Sequence, residues 1–222
     1  MSAVTTPAAS PASAVSTAAR AVAVDTAAPG LVAVEHLVHQ VDSALAGLLV
    51  EDGGREHVLA GHVLAEHVVS THVARAPVGR FVAVVSWRGG PEPERVRERL
   101  LSSVPGLLPV DGVLVRDPSL APGALAAAGE ALRRSSGRLA RYRGRRLVER
   151  RTTPGKAVAG SCLDAVEGLA GVEVSPDAVL DATGFARPTW KDGRCTLLVQ
   201  RAGGDVLVPF EVRDQLACCS AH

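Results

Sequence analysis

The chain has no isoleucine and no asparagine, and among its 222 residues it holds only two lysines (Lys156 and Lys191), one methionine and one tyrosine. The missing residues all have AT-rich codons, which points to a GC-rich bacterial gene. Arginine is therefore favoured over lysine for a reason outside the fold, and its abundance alone says little about function. Cysteine is scarce too: four residues, at 162, 195, 218 and 219, are too few and too unevenly spaced for a disulfide framework in a chain of this length. A reducing, cytoplasmic setting is expected. No run approaches the ~18–20 apolar residues of a membrane span, and the N-terminus lacks a basic stretch followed by an apolar one, so neither insertion nor export is expected.

Nearly half of the residues, 47%, are apolar, enough for one good-sized domain or two small ones. Residues 1–30 are mostly Ala, Ser, Thr, Pro and Val, with too little bulky apolar surface to offset the entropy of ordering, and a disordered tail is expected there. From Leu31 to Val50, residues Val34, Leu37, Val38, Val41, Leu45 and Leu48 recur at helical spacing. Then His57, His62, His67 and His72 follow at intervals of five. Five residues turn a helix by ~500°, so successive histidines diverge. In a strand they alternate faces, so the pattern is read as histidines in an apolar segment and not as a local metal site.

The next stretch alternates. Arg80–Trp87 is an apolar run of strand length, Glu94–Val104 an amphipathic helix, Val110–Arg116 a second strand, and residues 122–134 a helix capped by Asp117 or Ser119. Alternation of this kind predicts an α/β or α+β fold: a βαβα-type domain over 31–135, either a βαβ unit or a ferredoxin-like half. A basic connector over 136–155 is expected to follow. Residues 156–222 complete the chain with a helix over 156–169 and an antiparallel β-meander from Phe185 onward, Pro209 marking its last strand as an edge.

Charge is concentrated in one place. Between Arg133 and Arg151 there are nine arginines and one acid, Glu149, about +8 in a chain of net charge +1, which leaves about −7 for everything else. Arginine presents a fixed fork of donors to phosphate. The favoured reading is a cytoplasmic binding or regulatory protein holding DNA or RNA through Arg138, Arg141, Arg143, Arg145 and Arg146, with Tyr142 stacking on a base. Replacing those five arginines by Ala should abolish retention on nucleic acid while leaving the fold intact. A second reading is a small metalloprotein or enzyme accessory in which Cys195, Cys218, Cys219 and His222 hold zinc or an Fe–S cluster. A third is an interaction module whose basic segment docks an acidic protein partner or a second copy of the chain. The same segment also reads as a solvated face balanced by the acids elsewhere. No phosphate loop surrounds Gly155-Lys156, no Gly-x-Ser-x-Gly occurs, and no residue is assigned a catalytic role.

Overall fold

The structure, a computed structural model, describes residues 18–46, 48, 67–89 and 91–211. Its first element is a strand, β1 (Ala19–Ala28), and it lies inside the sheet. This corrects the tail expected over 1–30 for residues 19–28; residues 1–17 lie outside the described residues. Val22, Ala23, Val24 and Asp25 have no exposed surface at all. The small side chains that look too weak to order a segment alone are what a strand covered on both faces uses where helices come close.

The helix expected from Leu31 is α1 (Leu31–Leu45), which buries Val34, Leu37, Val38, Val41 and Leu45. Next come β2 (Val68–Ala74), β3 (Arg80–Arg88) and α2 (Pro93–Ser103), the last with its proline at the first helical turn. The single strand expected over 110–116 is instead a hairpin, β4 (Leu108–Val110) and β5 (Val113–Val115). Asp111 and Gly112 both have positive φ, the requirement of a two-residue type I′ turn.

These strands stand in the order β5-β1-β3-β2, with β1 parallel to β5 and antiparallel to β3, and β3 antiparallel to β2. β1, α1 and β2, with β3 between the two strands, make a split β-α-β unit, and β5, parallel to β1, departs from the all-antiparallel sheet of a ferredoxin-like half. One face is closed by α1 and α2, through Val22, Val24, Val85, Trp87, Leu37, Val41, Val96 and Leu100. The other is closed by α3 (Ala121–Arg133), whose Ala121, Ala124, Ala127 and Ala131 form a flat stripe against Ala23, Val82 and Val84.

The sheet does not stop at β2. The segment expected to be a connector enters it as β6 (Arg138–Arg141), antiparallel to β2, with Leu139 and Ala140 fully buried. Beyond β6 come β10 (Thr189–Lys191), β11 (Arg194–Arg201), β12 (Leu207–Pro209), β9 (Leu180–Asp181) and β7 (Arg151–Thr152), with β8 (Ala165–Gly168) parallel to β11. One buried cluster runs from Ala23 and Val84 through α3 to Leu139, Tyr142, Leu180, Leu197 and Leu207. The portions on either side of the basic segment share a core.

Two short helices, α4 (Arg145–Val148) and α5 (Pro154–Ala159), lie off the sheet. The helix expected over 156–169 ends early, because Ser161 turns its hydroxyl to the Ala157 carbonyl and accepts from the Leu163 amide. The meander β10-β11-β12 is present, turning at Asp192-Gly193 with both φ positive. Pro209 is not at an edge: β12 lies between β11 and β9, but β9 pairs at Leu207, so no β9 partner asks Pro209 for an amide proton. Among the described residues no helix is long and apolar enough to cross a membrane.

Candidate functional site

The arginines of the basic segment divide by what β6 does with them. A strand sends alternate residues to opposite faces. Leu139 joins the α3 side and Ala140 the α1 side, while the flanking arginines reach across to α1. Glu35, His39 and Asp42 lie at i, i+4 and i+7 on one stripe of α1 and meet them. Arg138 donates to Glu35 Oε1 at 3.0 Å and forks onto both carboxylate oxygens of Glu211. Arg141 Nε donates to Asp42 Oδ2 at 2.6 Å, and its Nη2 is 3.4 Å from His39 Nδ1. Arg145 sits 2.7 Å from Glu149 Oε2.

A residue outside the segment completes this network. Arg187, 5% exposed, donates to both oxygens of Glu35, reaches Glu149 at 3.3 Å, and lies over the Phe185 ring at 4.4 Å. Burial alone would raise the Glu35 carboxyl, but the Arg187 and Arg138 guanidiniums together hold it below the ordinary range. Sequence reading missed Arg187, because nothing in its neighbourhood distinguishes it from other arginines.

Tyr142 is buried, with its ring in the core, its hydroxyl unpartnered and its phenol pushed up chiefly by burial. It presents no face on which a base could stack. Arg143 and Arg146 are exposed. Arg143 donates to the Ser161 carbonyl at 2.7 Å, and Gly144, at φ +79°, lets this turn lie directly on Gly160 and Ser161, where a Cβ has no room.

A second group of cations gathers by the C-terminus of α3. A cleft is lined by Ala19, Val68, Ser86, Arg88, Arg134 and Trp190, among others. Arg134 closes α3 in the left-handed conformation, and its guanidinium stands 6.0 Å over the Trp190 ring. Its carbonyl accepts from the Gly193 amide, which fixes the β10-β11 hairpin tip, Lys191 to Arg194, beside it. Arg88, Arg134, Lys191 and Arg194 are exposed and have no carboxylate partner among the described residues. Nearby Asp164 spends one oxygen on the Cys195 amide.

Behind this rim lie two thiols. Cys162 is half-buried and Cys195 buried, with their sulfurs 3.9 Å apart. The Cys162 thiol is lowered, first by the hydrogen bond from Cys195, with Arg143 and Arg134 assisting against burial, and Cys195 is raised in turn. Of the four expected metal ligands, Cys195 alone is described; Cys218, Cys219 and His222 lie outside the described residues. Within the described part no three His, Cys, Asp or Glu side chains converge as a metal site. His57 and His62 are likewise outside it.

His72 takes part in a buried relay. Its Nδ1 is 2.9 Å from Glu130 Oε2 and its Nε2 2.9 Å from Ser70 Oγ. The carboxylate can only accept, so Nδ1 carries the proton and Nε2 accepts from the serine hydroxyl. The order resembles a nucleophile-base-acid set, but Ser70 is fully buried and does not line the cleft, so the relay ties α3 to β2. Compared with known proteins, the chain matches no family model, no curated protein and no solved structure.

Proposed function

We propose that the protein binds a phosphate-bearing polyanion, nucleic acid foremost, on the rim formed by Arg88, Arg134, Arg143, Lys191 and Arg194. The observation that carries this reading is the division of the cations. Arg138, Arg141, Arg145 and Arg187 are matched to carboxylates within the fold, whereas Arg88 and Arg134 line the cleft, Lys191 and Arg194 flank the hairpin tip bonded to Arg134, Arg143 acts with Arg134 on Cys162, and none of these five has a carboxylate partner among the described residues. Both faces of the split β-α-β unit are covered by helices, so bases have no open sheet to stack on there. Contacts would go to phosphates, and such contacts position a strand without reading its sequence.

Of the arginines first nominated from the sequence, Arg143 belongs to this surface and Arg146 is free to extend it. The test is retention of the whole protein on short single and double strands of DNA and RNA. Arg134→Ala, Lys191→Ala and Arg194→Ala combined should weaken binding to every sequence alike. Unchanged retention of that triple variant would remove the reading.

A further inference from the structure

We propose that Cys162 and Cys195 form a peroxide-oxidisable dithiol, in which Cys162 is the attacking sulfur and Cys195 the resolving one. The pair is set by tertiary structure. Cys195 sits on β11 opposite Trp190 of β10, and Cys162 lies in the loop after α5. The loop is fastened to the strand beside the pair by two bonds: the Asp164 amide donates to the Cys195 carbonyl at 2.8 Å, and the Cys195 amide donates to Asp164 Oδ2 at 2.7 Å. On the far side the Cys162 amide donates to the Arg143 carbonyl at 3.1 Å. The sulfurs are thus held 3.9 Å apart, and side-chain rotation has to close them to the ~2.05 Å of a disulfide.

The two sulfurs are unequal. Cys162 is partly open to solvent, and the Arg143 and Arg134 guanidiniums stabilise its thiolate, while Cys195 is buried with its sulfur in contact with it. A thiolate next to cations, with a second thiol in contact, is the arrangement of a redox-responsive cysteine and its resolving partner.

The chemistry balances with hydrogen peroxide as the oxidant. The Cys162 thiolate attacks one peroxide oxygen; an S–O bond forms, the O–O bond breaks, and hydroxide leaves and takes a proton to become water. The product is a sulfenic acid at Cys162. The Cys195 thiol then gives up its proton as its sulfur attacks Cys162; an S–S bond forms, the S–O bond breaks, and the departing hydroxide collects that proton as a second water. Two thiols lose two electrons and one peroxide gains them.

The full reduced chain, treated with a small excess of hydrogen peroxide, alkylated and cut with trypsin, reads this directly. Cys162 falls in peptide 157–191, because the Arg187-Pro188 bond resists cleavage, Cys195 in 195–201, and the two terminal cysteines together in 214–222. The expected product is a 157–191/195–201 disulfide that dithiothreitol reverses. In Cys195→Ser, a sulfenic acid at Cys162, trapped with a 1,3-dione reagent, should replace it. In Cys162→Ser, Cys195 should stay a free thiol. Peptides 157–191 and 195–201 recovered unlinked and alkylated, while 214–222 is oxidised, would overturn the proposal. So would Cys195 reacting at its ordinary rate in Cys162→Ser.

Discussion

The Arg80 guanidinium donates through Nε to the Asp25 carboxylate at 2.7 Å, and both side chains are buried. Arg80 also donates to the carbonyls of Ala76, Val78 and Leu120, and the second Asp25 oxygen accepts from the Ala27 amide. One ion pair thereby ties β1, β3, the loop before β3 and the start of α3. Removing one member leaves the other charged and dry, so Asp25→Ala should cost on the order of 3–5 kcal/mol in unfolding free energy. Urea denaturation measures it, and a loss under about 1 kcal/mol would place the pair among surface bridges instead.

The division of the arginines makes a paired prediction. Glu35→Ala strips Arg187 and Arg138 of a shared partner, although Glu149 and Glu211 remain, and should destabilise by about 2–3 kcal/mol. Arg146→Ala, on the exposed side of the same segment, should stay within about 0.5 kcal/mol. Replacing Arg138, Arg141, Arg143, Arg145 and Arg146 together should therefore destabilise the fold as well as any binding, because three of the five are ion-paired within it. Equal denaturation midpoints for the two single variants would contradict this account.

His72 predicts a pH dependence. Burial holds its imidazole below the ordinary value, with Glu130 pulling the other way. The unfolded chain therefore accepts a proton that the folded protein refuses. The His72 contribution is complete above the ordinary pKa of ~6.5 and is lost as pH falls below it toward the folded value. Between pH 7.5 and 5.5 the parent should lose more stability than His72→Gln, as read from urea midpoints. Parallel losses in the two proteins would remove His72 as the cause.

Gly137 supports the same relay. It has φ +124°, and a Cβ there would meet His72 Cε1 at 2.6 Å. Gly137→Ala should cost about 1–3 kcal/mol through overpacking, with a further penalty from the backbone. A variant as stable as the parent would mean that β6 and His72 can separate freely.

For the cationic rim, affinity for nucleic acid should fall linearly with salt on logarithmic axes. If four to five phosphates are neutralised on a duplex, the slope is about −4, from ~0.9 per phosphate. The Arg134, Lys191 and Arg194 triple variant should flatten it by about two to three. A parent slope near zero would mean that phosphate contacts do not carry the binding.

Several elements were legible because their signals are local. The spacing of Val34, Leu37, Val38, Val41 and Leu45 makes α1 amphipathic wherever it is placed, and the run over 80–87 is too β-branched and apolar for anything but a buried strand. The meander from β10 followed from its turn residues. Asp111-Gly112 carried the same signal as Asp192-Gly193, and reading it would have split residues 110–116 into the hairpin β4-β5.

What the amino-acid sequence determined by itself was the mixed α/β character, the helix and strand positions that repeat with a local period, and the presence of one concentrated block of arginine. Only the tertiary structure decided what those residues meet. β1 is ordered because two helical faces and β3 cover it, and no property of its alanines announces that cover. Arg138 and Arg141 are structural because α1, some hundred residues away, presents Glu35 and Asp42 at the matching height. Cys162 and Cys195 touch because β11 and the loop after α5 are hydrogen-bonded at Asp164. Periodicity is a property of neighbours in the chain, whereas charge matching and thiol contact belong to neighbours in space.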